Sequence, residues 1–194
     1  MAFTERSEKT REAILRATRR MLTMRGYEAT TIRAIAAEAG IDPSMVMRYY
    51  GNKEGLLAAA VDVDLHLPDP NNMERERIGE LLAAHVLSRW EGDLSDEFIT
   101  LILRSASTNS AAAEQLRRVF ADQILTFVRA VAGEDSHTKW RAAMLSSQVL
   151  GLAYCRYIVN LPAMVEMDAS TLAATLGPVL QHYLTGELDK PLHE

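Results

Sequence analysis

Residues 30–53 read TTIRAIAAEAGIDPSMVMRYYGNK, and the spacing of alanine, glycine and valine within them decides the fold. Thr30 and Thr31 can cap a short helix over Ile32–Glu38, because a threonine hydroxyl accepts one of the unpaired amides at a helix start. Gly40 breaks that helix. Asp42-Pro43 opens the next, to about Tyr49, with an acceptor at the cap and a proline at the first helical position. Two short helices joined by so tight a turn cross steeply and need specific side-chain sizes. Ala36 is small at the crossing, and Gly40 tolerates the positive φ of the turn. Val46 wedges between the helices, with Ile35 and Ile41 closing the small core. The pattern is that of a helix-turn-helix, with an ordinary α-hairpin as the plainer alternative.

In a helix-turn-helix the second helix enters the major groove and its N-terminal residues approach the base edges. Pro43, Ser44, Met45 and Arg48 then face outward, while Val46 and Tyr50 turn inward. Ser44 can donate or accept a hydrogen bond, Pro43 and Met45 can touch a thymine methyl, and Arg48 can pair with guanine or phosphate. Thr31 and the amides beside it suit a phosphate, Arg33 adds charge nearby, and Lys53 at the start of the following helix serves as a phosphate clamp.

Outward from this stretch, nearly every segment has helical spacing. A first helix runs from Ser7 or Glu8 to Arg25, with Ile14, Thr18, Met21 and Leu22 on one face and Gly26 ending it. A fourth runs over Lys53–His66, stopped by Pro68 and Pro70. The segment Leu67–Asn72 divides a head, residues 1–66 with the helix-turn-helix at about 31–50, from a body, residues 72–194. The body contains five further helices, at about 73–91, 95–107, 110–132, 135–160 and 169–186, with Pro178 kinking the last. No alternating strand run longer than about four residues interrupts them. The expected fold is all-α: about nine helices, forming an N-terminal three-helix helix-turn-helix head and a C-terminal helical bundle.

The net charge of −5 argues against nucleic acid, but its distribution does not. Residues 1–60 carry ten Lys or Arg against seven acids, and the remaining 134 carry eleven against nineteen. A basic head on an acidic body suits a protein whose head alone meets phosphate. The charged N-terminus lacks the apolar core of a secretory signal, and no stretch reaches the roughly 18–20 apolar residues of a membrane span, so a cytoplasmic protein is expected. The single cysteine, Cys155, excludes an internal disulfide and is expected to be a small buried residue.

An enzyme is disfavoured, and no catalytic residue, metal site or cofactor is assigned. There is no phosphate-cradling Gly-rich loop, no Gly-x-Ser-x-Gly elbow and no His-Glu-x-x-His pair. Glu134 and His137 have the Glu-x-x-His spacing of di-iron bundles, but only once, at a helix start where acids favour the dipole. The alternative to a DNA reader is a helical protein-binding adaptor that keeps the helix-turn-helix shape without reading DNA.

The head resembles the TetR/AcrR family of transcriptional regulators. Members carry a Thr-x-Arg-x-Ile-Ala-x-x-Ala-Gly-Val run into the recognition helix, then an aromatic pair and a lysine. Thr31, Arg33, Ile35, Ala36, Ala39, Gly40 and Ile41 match the run, and Tyr49-Tyr50 with Lys53 match its end. Gly26-Tyr27-Glu28-Ala29-Thr30-Thr31 is similar to the family's link between its first two helices. The resemblance covers about residues 10–60. It implies DNA contacts at Thr31, Arg33, Ser44, Tyr49 and Lys53, to which the geometry adds Pro43, Met45 and Arg48. Met47 stands where the family usually has a phosphate-binding tyrosine, and Tyr49 where it usually has histidine.

In the body, Ala143, Ser147 and Gly151 recur every four residues, and Leu172, Leu176, Val179, Leu180 and Tyr183 form an apolar stripe. These residues suit either core or a pairing surface; the resemblance implies the latter, a homodimer in which the last two helices of each subunit form a four-helix bundle. The middle helices are expected to enclose a ligand cavity. Phe98, Leu101 and Ile102 lie on one, and Leu116, Phe120, Ile124 and Phe127 on the next. His85, Arg104, Gln148 and Tyr154 are the candidate polar groups, each also explicable as structural. The family's logic makes the protein a repressor: it binds a palindromic double-stranded DNA operator and releases it when a small apolar effector shifts the fourth helix.

Overall fold

The computed structural model describes residues 5–91 and 96–188, with side chains described for 7–91 and 100–188. It is helical throughout, with no strand among the described residues. In chain order the helices are α1 (Glu5–Ala29), α2 (Ile32–Ala39), α3 (Pro43–Tyr50), α4 (Lys53–Ala60), α5 (Ile78–Glu91), α6 (Asp96–Thr108), α7 (Ser110–Val119), α8 (Leu125–Ala132), α9 (Thr138–Ala153), α10 (Pro162–Glu166) and α11 (Ala169–Thr185). A π-helical turn, Phe120–Ile124, joins α7 to α8, and another, Tyr154–Ile158, extends α9. Internal contacts divide the chain into two compact units: residues 1–63 with 100–116, and residues 64–99 with 117–194.

The first unit contains the head. Gly26, at φ 73 and ψ 174, breaks α1 where the sequence places its end. Thr30 is wholly buried just beyond, and its hydroxyl donates to the Gly26 carbonyl at 2.7 Å, so the link to α2 carries no unpaired polar atom there. Ile14, Ala17, Met21, Ile35, Ala36, Val46 and Leu56 form one apolar cluster, contributed by all four helices of the head. Full burial of Ile14, Ile35, Val46 and Leu56 stabilises by roughly 1.5–3 kcal/mol each. The Arg19 guanidinium donates to the last carbonyl of α4, that of Ala60, at 2.8 Å.

The fourth helix is shorter than its sequence pattern. It ends at Ala60 rather than His66, and the prolines at 68 and 70 are not what stops it. Beyond Ala60 the backbone pairs instead with side chains distant in sequence. Within the second unit, Gln123 accepts from the Leu65 amide at 2.8 Å, Arg89 donates to the Asp64 carbonyl at 3.0 Å, and His85 Nε2 lies 3.0 Å from the Leu65 carbonyl. Asp64 itself accepts from the His66 amide at 2.8 Å. The body's first helix is shortened likewise, beginning at Ile78 after two single 3-10 turns, Pro70–Asn72 and Arg75–Arg77. Pro162 is the first residue of α10, a short helix absent from the five expected in the body.

The second unit is organised by α5 lying against α11. The contact is close because two buried glycines face each other there. A methyl group at Gly79 would run into the Gly177 carbonyl oxygen and the Gln181 amide nitrogen, and one at Gly177 would lie 2.9 Å from the Cα of Glu80. Gln181 spans the crossing: its side-chain carbonyl accepts from the Gly79 amide at 2.8 Å, and its amide donates to the Arg75 carbonyl at 2.9 Å. Neither backbone can retreat without losing those bonds. Gly177→Ala is therefore expected to destabilise the protein by roughly 1–3 kcal/mol, as overpacked sites do. An unchanged midpoint in urea unfolding would show that the helices separate freely.

Candidate nucleic-acid interface

The geometry of the head starts from caps. Thr31 Oγ1 accepts from the Ala34 amide at 3.2 Å and starts α2. Gly40, at φ 66 and ψ 34, ends it in the left-handed conformation, with the Ile41 amide donating back to the Ala36 carbonyl at 2.9 Å. Asp42 accepts from the Ser44 amide at 2.8 Å and starts α3 one residue later. Ala36 has no exposed surface, and Val46 is 1% exposed. The turn between α2 and α3 is thus fixed by backbone conformation at one residue and by packing on either side of it.

Fixing Val46 inward decides which side of α3 faces out. Pro43, Ser44, Met47 and Arg48 are exposed, positions that share one helical face, whereas Met45 and Tyr49 are half-buried. The outward face is therefore not quite the one expected. Met45 is the less exposed of the two methionines, and Met47, whose thioether cannot hold a phosphate, is 45% exposed. The cue was available in the sequence: with Val46 inward, residues 43 and 47 fall on the same side at a spacing of four. Tyr49 packs against the head's apolar cluster, and its hydroxyl shares a hydrogen bond with Ser7 Oγ at 3.2 Å. Thr31 and Arg33 are exposed on α2, and Arg20 ties α1 to α2 through Glu38 at 3.3 Å.

Lys53 begins α4, where Asn52 accepts from the Gly55 amide at 2.7 Å. Its ammonium nitrogen stands over the Tyr27 ring, 4.1 Å from the centroid. The Tyr27 hydroxyl donates to Glu54 Oε1 at 2.9 Å, and burial together with this bond pushes its pKa up to about 12. Tyr27 is thereby kept neutral across the working range of pH.

The body residues are distributed differently from expectation. His85 is occupied with the Leu65 carbonyl, the structural role its position allowed. The Phe98 side chain lies outside the described residues, and Arg104 is exposed. Ile102 is buried in α6 within the first unit; Phe127 is buried and Phe120 half-buried in the second. Gln148 and Tyr154 do not join the phenylalanines. Tyr154 is 51% exposed, and Gln148 lines a cavity of about 250 Å³ shared with Gly151, Cys155, Met164, Thr175 and Val179. Their place on the outer side of α9 puts them with the small residues Ala143, Ser147 and Gly151, all exposed. Leu172, expected at a subunit interface, is 3% exposed and belongs to the body's own core, while Leu176 and Tyr183 are half-buried and Val179 is exposed. Cys155, expected to be buried, is half-buried at the cavity's edge.

The sequence matches two family profiles. One, "Bacterial regulatory proteins, tetR family", covers residues 14–60, and the other, "Tetracyclin repressor-like, C-terminal domain", covers residues 76–184. The chain belongs to the tetR family. It is a DNA-binding transcriptional regulator, and the helix-turn-helix is its reading head. Among solved structures, a TetR-family regulator of Streptomyces coelicolor A3 is 26% identical, with 95% of this chain and 99% of that one covered at a TM-score of 0.53. NalD, the secondary repressor of the MexAB-OprM multidrug efflux pump in Pseudomonas aeruginosa, is 21% identical over 93% and 98%, at 0.68. The fatty acid degradation regulator FadR of Bacillus halodurans is 13% identical over 88% and 97%, at 0.69. No curated protein matches the chain. Among the described residues, no helix is long and apolar enough to cross a membrane, and no group of three or more His, Cys, Asp or Glu could hold a metal ion.

The cap on α3 carries a pH signature. Hydrogen bonds from Ser44 hold the Asp42 carboxyl below its ordinary range. A depressed folded pKa contributes stability that is present above the unfolded value and lost as pH falls through the folded one. The wild-type melting temperature should accordingly exceed that of Asp42→Ala at neutral pH, with the gap closing below about pH 4. A gap that persisted unchanged in acid would show that the carboxylate is not the cap.

Proposed function

We propose that this tetR-family protein is a repressor that binds a palindromic operator as a homodimer and is released by a small apolar molecule. The observation that carries the reading is the outward face of α3: Pro43, Ser44, Met47 and Arg48 exposed on a helix whose other side is locked by Val46. In the bound state Arg48 reads a base edge or holds a phosphate, Ser44 does the same at shorter reach, and Pro43, Met45 and Met47 offer apolar contact to thymine methyls. Thr31, Arg33, Tyr49 and Lys53 hold the sugar-phosphate backbone and set the register.

Homodimerisation is supported by what the body leaves uncovered. Leu150, Tyr154 and Val179 are exposed large apolar residues, and Ala143, Ser147 and Gly151 are exposed beside them. An apolar strip of this kind on a helical surface marks an interaction site, and small residues permit helices to approach closely. Pairing also matches two heads to a palindrome and multiplies their specificity. The effector class follows the buried and half-buried phenylalanines of the body and the apolar character of helix-bundle pockets. Regulators of multidrug efflux and of fatty acid degradation share this fold, and apolar compounds of either kind suit such a pocket.

Selection of bound duplexes from a random library tests the reading. A palindrome should emerge, its binding weakening steeply with salt. Arg48→Ala should cost about 1–3 kcal/mol of discrimination at one base position if the arginine reads guanine. A uniform loss across sequences would make it a phosphate contact, and no enrichment from ligand-stripped protein would overturn the operator reading. Val179→Glu should shift the protein to monomer in sedimentation; a dimer unaffected by it would place the interface elsewhere.

A further inference from the structure

Lysine at the first position of a helix has the wrong sign for the helix dipole, which favours anions there. Lys53 occupies that position on α4, directly after the Asn52 cap. Among the described residues its surroundings give it no salt bridge, though the charge of neighbouring Glu54 acts on it. They hold it by a ring, the ammonium standing 4.1 Å from the centroid of Tyr27. The ring in turn is fixed from its far end, where the hydroxyl donates to Glu54 at 2.9 Å, and Glu54 is the next residue along α4. The chain from Tyr27 to Glu54 therefore closes a small frame around Lys53, joining the end of α1 to the start of α4.

We infer that Tyr27 is a positioning residue for DNA binding: its ring holds the Lys53 ammonium in the pose that meets a backbone phosphate at the start of α4. A ring attracts a cation through its quadrupole without cancelling the charge. A carboxylate in the same place would compete with phosphate for the ammonium, whereas a neutral ring restricts the long side chain and leaves its charge available. The free lysine carries substantial rotamer entropy, which ordering before DNA arrives removes from the binding step. The tyrosine hydroxyl's bond to Glu54 Oε1 fixes the ring in place, while the Glu54 charge also acts on Lys53 from the adjacent position. The inference rests on the phosphate contact proposed for Lys53, and the variants below separate the two.

The test is a double-mutant cycle on the full-length protein, with a fluorescein-labelled 30-base-pair mixed-sequence duplex as probe and a salt series at each variant. Lys53→Gln should weaken binding and lower the salt slope by about one per head. Tyr27→Leu should weaken it by about two- to five-fold per head, the range a cation–π contact spans at a partly exposed site. Tyr27→Phe keeps the ring but loses the bond to Glu54, and should weaken binding less than Tyr27→Leu does. In the Lys53→Gln background, Tyr27→Leu should cost nothing further, which a merely structural role would not produce. Thermal melts of each variant report whether the head stays folded. If Lys53→Gln leaves the salt slope unchanged, the phosphate contact itself is wrong and the inference falls with it. If Lys53→Gln lowers the slope but Tyr27→Leu binds as tightly as wild type, or its cost adds fully to that of Lys53→Gln, the lysine contact stands and the tyrosine's role is overturned.

Discussion

Ala36 lies wholly buried where α2 meets α3, and four residues later Gly40 turns the chain through the left-handed region. These two positions set how closely and at what angle the helices cross. A larger side chain at 36 would lever α3 away from the cluster around Ile14 and Ile35, and a side chain at 40 would strain the turn. With the angle fixed, Val46 must point inward, and residues 43, 44, 47 and 48 must then point out. The surface chemistry of the head is thus a consequence of its packing. Base-facing and phosphate-facing side chains gain precision because the backbone beneath them has few alternatives.

The body follows another logic. Two buried glycines bring α5 close to α11, and many of its polar links run from long side chains to backbone groups. Gln181 reaches Arg75, Arg141 donates to the carbonyls of Tyr183 and Gly186 at 2.9 and 3.0 Å, and Arg156 donates to those of Met164 and Met167. Such links close off loose ends of helices and turns, and they leave the outer side of α9 and part of α11 apolar and open. The proposed paired DNA reader draws on both: the outward face of α3 in the head and the uncovered apolar strip in the body.

The head was almost entirely legible in the sequence because its determinants are local. Caps at Thr31 and Asp42, the break at Gly40 and the inward Val46 act within a few residues of themselves, as does the unanticipated cap at Asn52. Apart from the exchange of Met45 and Met47 on α3, which helical spacing could have given, the failures trace to tertiary partners invisible to periodicity. α4 stops at Ala60, whose carbonyl Arg19, distant in sequence, takes from the helix. Leu172 and Val179 share nearly one side of α11, yet the first is buried and the second exposed, so what lies against each along the helix decides it. Gln148 and Tyr154 were grouped with the phenylalanines on chemistry alone, and the rotation of α9 separates them. The tyrosine frame around Lys53 was invisible for the same reason, since Tyr27 and Lys53 are joined only by the fold.

Hydroxyl-radical footprinting of the protein on its selected duplex asks most directly whether paired heads read DNA through α3. Two equivalent protected patches on one face of the duplex, centred one helical turn of about 10–10.5 base pairs apart or a multiple of it, are expected. A single patch, or protection spread evenly along the duplex, would contradict it.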